Sequence, residues 1–144
     1  MCVDYICEMT IDHGAAAAFV DGYGRTWESW DVEGFVELFS EDVVYVEHPT
    51  DETVVGRAEM ERYIRKEQSE QGAATVRMGK PIVQADQVVA EFWATMSNRE
   101  GEKEGTLMGC FIAQLDPANG RCNHFRQYWF EVEGHVSPFN GWGE

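Results

Sequence analysis

The apolar run Val43–Val46 ends in Glu47, His48 and Pro49. A free imidazole titrates near ~6.5, close to the pH of most cells, so a histidine at a strand end that opens into a cavity suits a general base. The same residue at a solvated turn does no chemistry, and the run alone leaves both readings open. Late in the chain, "RCNHFRQYWFEVE" sets Arg126 in phase with His124, Tyr128 and Phe130. A guanidinium inside a domain needs a carboxylate partner, here Glu47 or Glu91, or an anionic ligand held bidentately. Trp27, Trp30 and Tyr45 are candidate aromatic walls beside these groups. His48 and His124 lack helical His-x-x-x-His spacing and an obvious third ligand, so no metal site is expected, and the chemistry considered requires no cofactor.

The elements that must carry these residues follow from periodicity. "HGAAAAFVDGYGRTWESWD" spaces Phe19, Tyr23, Trp27 and Trp30 by three and four, which predicts one face of a helix. Asp31 suits the cap of a second helix, "VEGFVELFS", with Phe35, Leu38 and Phe39 inward. A strand over 43–48 and a short extended piece over 52–55 follow. "RAEMERYIRKEQSEQG" predicts a third helix with Met60, Tyr63 and Ile64 inward and Gly72 as its stop. The period then changes to two. "ATVRMGKPIVQA" is extended and broken at Pro81, and "QVVAEFWATMSN" alternates with Val88, Ala90, Phe92, Ala94 and Met96 on one face. Two further strands are joined by "DPANG". Helices first and hairpin-linked strands after describe an α+β domain with helices on one face of a sheet. The last strand carries large aromatics on both faces, which points to a homodimer through the sheet with Trp93, Phe125 and Trp129 in the interface.

The chain's 144 residues suit one domain, 1–144, with a core over about 14–132, an N-terminal lead 1–12 and a C-terminal tail 134–144. The tail's Phe139 and Trp142 either pack on the domain or its dimer partner, or close a pocket mouth. The formal net charge of −15 repels phosphate backbones and anionic lipid, so neither nucleic acid nor membrane is an expected partner. No stretch approaches the ~18 apolar residues of a membrane span, and the acidic start does not read as a signal peptide. Cys2, Cys7, Cys110 and Cys122 form no CxxC pair. Reduced cysteines in a cytoplasmic protein are the simplest expectation, although Cys110 and Cys122 could face each other across a hairpin.

Three stretches together carry a resemblance: "SWDVEGFVELFSEDVVYVEHP", "GRAEMERYIRK" and "NGRCNHFRQYWFE". In order and spacing they resemble the nuclear transport factor 2-like superfamily, especially its SnoaL-like and ketosteroid isomerase branches, over roughly residues 14–132. The resemblance implies a cone, a curved antiparallel sheet wrapped around N-terminal helices (a cystatin-like α+β roll), with a deep apolar pocket and dimers through the sheet's outer face. It implies that His48 holds the position of the proton-shuttling aspartate of ketosteroid isomerase. It also implies that Tyr23, eight residues before Asp31, holds that of the oxyanion-hole tyrosine; a core aromatic in register with Phe19 and Trp27 is the other reading of Tyr23. The chain departs from the family in its acids. Ile112 stands near the place of the isomerase's second acid, and Phe130 near that of the SnoaL acid, with Glu131 on the opposite face. Arg126 lacks the two aspartates of the limonene-epoxide hydrolase pattern.

The expectation is therefore a small-molecule pocket protein, acting on or binding a small apolar molecule in the cone. As an enzyme it would be a proton-transfer isomerase, lyase or hydrolase with His48 as base, Tyr23 as hydrogen-bond donor and Arg126 as positioner. Trp27, Trp30, Tyr45, His124, Tyr128 and Phe130 would line the ligand site. A non-catalytic binding or dimeric interaction module of the same fold is the alternative.

Overall fold

The computed structural model describes residues 10–144. Cys2, Cys7 and most of the expected N-terminal lead lie outside the described residues. Helix α1, His13–Ser29, starts where Asp12 accepts a hydrogen bond from the Ala15 N–H at 2.7 Å. It buries Ala16, Phe19, Val20 and Tyr23, with Trp27 packed alongside, so the three-and-four spacing becomes its inner stripe. Trp30 ends it in the left-handed conformation at φ 52°, and its indole N–H donates to the Gly72 carbonyl at 3.0 Å, fixing the helix end to the sheet.

Helix α2 is a single turn and a half, Val32–Val36, capped by Asp31 through the Gly34 N–H at 3.0 Å. It is shorter than its periodicity predicts, because Phe39 already opens strand β1, Phe39–Val46. Strand β2 is Val54–Val55, paired antiparallel to β1. Helix α3, Arg57–Glu70, buries Met60 and Ile64 and passes directly into β3, Gln71–Met78, so it stops before Gly72. Strands β4, Ile82–Gln84, β5, Gln87–Asn98, β6, Glu104–Leu115, and β7, Cys122–Glu133, complete the chain order.

The sheet runs β2-β1-β7-β6-β5-β3, with β4 also paired to β5. Pro81 separates β3 from β4, and the two pieces pair with successive parts of β5. One pairing departs from the antiparallel expectation. β1 lies parallel to β7, with Tyr45 opposite Phe125 and Val46 opposite Arg126, which makes the sheet mixed. The β6–β7 register sets Tyr128 opposite Cys110 and Leu115 opposite Cys122, so the two thiols do not face each other. Both are free.

The helices cover the concave face of the curved sheet, and the core fills the space between. Tyr45 stacks on Phe125 at 5.1 Å and 9°, and Phe19 meets Phe39 and Phe111 edge-on. This is an α+β cone. The tail folds back on the convex side. Trp142, largely buried, meets Trp93 at 5.9 Å and lies under the Arg77 guanidinium, while Phe139 stays exposed. It packs on the domain, and Trp142 is not among the residues that line the cavity.

Candidate functional site

At the wide end of the cone, between α1, α3 and the ends of β6 and β7, lies a cavity of about 770 Å³. Its aromatic lining is Tyr23, Trp27, Trp30, Phe35, Tyr45 and Trp129. Strand alternation from β1 carries inward-facing Val43 and Tyr45 on to Glu47, which lines the cavity as well. The Tyr45 hydroxyl lies 3.3 Å from Glu47 Oε2. The Tyr63 hydroxyl also bonds the Glu47 carboxyl, from α3. Trp129 closes the other side, its indole N–H donating to the Glu47 carbonyl at 2.9 Å.

The electrostatics of this corner are unusual for a carboxylic acid. Burial, followed by the nearby charge of Glu67, pushes Glu47 up to about 8, against the pull of the two tyrosine hydrogen bonds. Glu67 is raised in turn, first by burial and then by Glu70. Tyr23 and Tyr45 are both held well above the ordinary phenol range, first by burial and then by Glu47, so they stay un-ionised hydrogen-bond donors. The Tyr23 hydroxyl donates to Gln127 Oε1 at 2.8 Å across the core, leaving the Gln127 amide nitrogen beside it in the lining.

The residues singled out from the sequence divide between two faces. Tyr23, Trp27, Trp30 and Tyr45 line the cavity. His48 does not: its Nδ1 pairs with the Thr50 hydroxyl at 2.7 Å and its ring rests on the outside of Trp129 at 4.8 Å. Arg126, His124, Tyr128 and Phe130 also lie outside the lining, on the convex face, with Phe130 60% exposed. The opposite phase of β7 faces inward: Phe125, Gln127, Trp129 and Glu131. Phe125 and Trp129, expected at a dimer interface, are thus inside the cone, and only Trp93 of that trio lies outside. The reason is the aromatic core, which needs Phe125 against Tyr45 and Phe111. Glu47, Glu67 and Gln127 were not singled out. The alternation Val43, Tyr45, Glu47 was the available signal for the first of them.

A curved mixed sheet wrapped on helices, with an aromatic cavity at its wide end, defines a cone-type pocket protein. The chain belongs to the SnoaL-like domain family, whose model matches residues 17–125. No curated protein matches the sequence. Among solved structures, the epoxide hydrolase/cyclase-like enzyme SalBIII, of pyran ring formation in the polyether salinomycin, is 21% identical with a TM-score of 0.72, over 83% of this chain and 93% of that one. An LEH-like epoxide hydrolase of M. tuberculosis is 18% identical with a TM-score of 0.68, over 81% and 84%. A protein of ketosteroid isomerase-like fold from Catenulispora acidiphila, in complex with trimethylamine, is 15% identical with a TM-score of 0.68, over 76% and 83%. At these identities the likeness establishes the fold. Among the described residues no helix is long and apolar enough to cross a membrane, and no three metal-ligating side chains converge.

Proposed function

We propose that the cavity takes a small, largely apolar molecule and that Glu47 moves a proton on it, without a cofactor. The observation that carries this reading is a carboxyl raised to about 8 on the wall of an aromatic cavity. Such a group is mostly protonated near neutral pH yet ionises readily, which suits it to give a proton at one step and take one at another. Tyr45 and Tyr63 stabilise the ionised form by hydrogen bonding. The amide nitrogen of Gln127, whose Oε1 is held by the Tyr23 hydroxyl, supplies a donor to a substrate oxygen. Glu47 takes the role that the sequence suggested for His48, because it lines the cavity and the imidazole does not. Isomerisation, elimination and hydrolysis all fit this set. Epoxide opening is the first chemistry to assay, because two proteins of the same fold are described as epoxide hydrolases or hydrolase-like.

The test is incubation with 1-methylcyclohexene oxide, styrene oxide and a β,γ-unsaturated cyclohexenone, followed by NMR in deuterated buffer. Turnover of at least one, with a loss of about 100-fold or more in Glu47→Gln and little change in His48→Ala, supports the reading. Turnover that survives Glu47→Gln contradicts it. A second reading, a pure binding module, is favoured by one observation: Arg126, the guanidinium expected to fix a polar substrate end, lies outside the cavity. Binding of the same molecules with no chemical change on long incubation selects that reading.

The convex face supports a homodimer. Rows of cross-strand neighbours, Trp93–Met108–Phe130 and Val89–Ile112–Arg126, set apolar side chains beside exposed Tyr128. Such a dimer leaves both cavities open at the ends of the cones. Free Cys110 and Cys122 are in keeping with a reducing, cytoplasmic setting for it.

A further inference from the structure

The cavity is apolar in its walls but one-sided in its charge. Seven carboxyl side chains line it against a single ammonium, that of Lys103. They stand at two depths: Glu47 and Glu67 inside, and exposed Glu104, Glu131 and Glu133 at the mouth, where β6 starts and β7 ends. Aromatic faces of Trp27, Trp30, Tyr45 and Trp129 lie in the same lining.

The hydrogen-bond inventory is one-sided too. The Trp30 and Trp129 indole N–H groups are committed to the Gly72 and Glu47 carbonyls, and the Tyr23 hydroxyl to Gln127. The Gln71 amide nitrogen donates to Glu67 Oε2 at 3.1 Å, while Gln71 Oε1 is buried with no hydrogen-bond partner among the described residues. The corner around Glu47 and Glu67 therefore holds more acceptors than donors, and more negative groups than positive ones. An anionic guest, or a neutral one without donors, leaves that imbalance in place; a cation relieves both the donor shortage and the excess of negative charge.

We infer that the ligand of this cavity is an apolar molecule bearing a cationic nitrogen, a protonated amine or a quaternary ammonium, seated against Glu47 and Glu67 and edged by the tryptophan and tyrosine faces. This rests on the reading of the cavity as the ligand site and names the chemistry of what enters. It also gives the carboxyls a ligand-dependent state. The groups facing Glu47 are Tyr45 at the end of β1, Tyr63 and Glu67 on α3, Asp51 in the following loop and Tyr23 on α1, none of them a cation. An arriving positive charge favours the carboxylate, so the Glu47 proton leaves to solvent and the bound complex holds an ionised base. Binding accordingly tightens as pH rises from 6 to 9, with uptake of the cation balanced by release of a proton.

The experiment is titration of tryptophan fluorescence in the intact protein with benzyltrimethylammonium, with its uncharged isostere neopentylbenzene and with benzenesulfonate. The expected result is that the ammonium binds at least about tenfold more tightly than the isostere, and that the sulfonate does not bind. In Glu47→Gln/Glu67→Gln that preference is lost. Because the double variant could fold poorly, proton release on adding the ammonium to wild-type protein in weak buffer at pH 7 is the second measurement. Equal affinity for cation and isostere, no ammonium binding, or binding with no proton release overturns the inference. If the isostere binds as well as the cation while Glu47→Gln still abolishes turnover of the neutral substrates, only the charge preference falls and the proton-transfer reading stands.

Discussion

Glu47 is where the cavity's polarity concentrates, and its weakened acidity has a cost that shows in stability. With a carboxyl at about 8 in the folded protein and near its ordinary value when unfolded, the folded state holds a proton that the unfolded state gives up. Its contribution is fully present below the unfolded value near ~4.3 and is lost as pH rises through 8. Glu47→Gln removes that dependence. In urea unfolding, the variant is expected to gain roughly 2–4 kcal/mol on wild type between pH 5 and pH 9, and parallel curves contradict the assignment. Taking the difference cancels the general self-repulsion of a strongly acidic chain, which acts on both proteins. His48→Ala, by contrast, removes one ring contact with Trp129. At this scale the sequence was legible in residue types and not in orientation. "YVEHP" marks the strand end that meets the cavity, yet the expectation falls on His48 and the neighbouring Glu47 is the one that faces inward. In β7 the two alternating sets were correctly separated, but each carries aromatics, so period alone could not say which set was buried.

The elements hold the cavity open by fixing how α1 and the sheet meet. Asp12 caps α1 and Trp30 ties its other end to Gly72, so the helix is held at both termini across the cone. Asp12→Ala is expected to lower stability by about 0.5–2 kcal/mol with no effect on ligand affinity, measured by thermal unfolding alongside titration. Gly109 is a different kind of control. A Cβ there meets the Tyr128 carbonyl oxygen at 2.0 Å and the Trp129 backbone at 2.8 Å, and that backbone cannot swing aside as a side chain would. Gly109→Ala is expected to cost about 1–3 kcal/mol and to displace Trp129, so both unfolding and tryptophan quenching should change. A variant as stable as wild type sinks this account of the β6–β7 approach. The helices and the three twelve-residue strands were readable from the sequence, since their apolar spacing is strong. What was not readable was set by tertiary pairing. α2 ends early because Phe39 is drawn into β1, and β1 runs parallel to β7, a choice that no local pattern in either strand encodes.

For the whole molecule, the convex face and the cavity mouth make separate demands. Tyr128 and Phe130 stand 46% and 60% exposed beside Met108 and Ile112, an apolar stretch of the kind that the proposed homodimer would bury. Light scattering at micromolar concentration is expected to give twice the 16.4 kDa chain mass, and Phe130→Lys with Tyr128→Lys to halve it. A monomeric wild type removes the dimer without touching the cavity. The cone itself was legible from the order of elements and from the three resembling stretches. Phe125 and Trp129, expected at a dimer interface, face inward, and Arg126, His124, Tyr128 and Phe130, expected in the pocket, face outward, because a face exchanged on β7 exchanges interior for exterior along its whole length.

The most direct measurement is a carbon-13 NMR titration of the side-chain carboxyls in glutamate-labelled protein, with Glu47 assigned by its absence in Glu47→Gln. A resonance that titrates with its midpoint near pH 8, and falls toward the ordinary range when benzyltrimethylammonium is added, is the expected result. A Glu47 midpoint near ~4.3, as for an exposed carboxyl, contradicts the central claim that this cavity holds a protonated acid ready to exchange its proton.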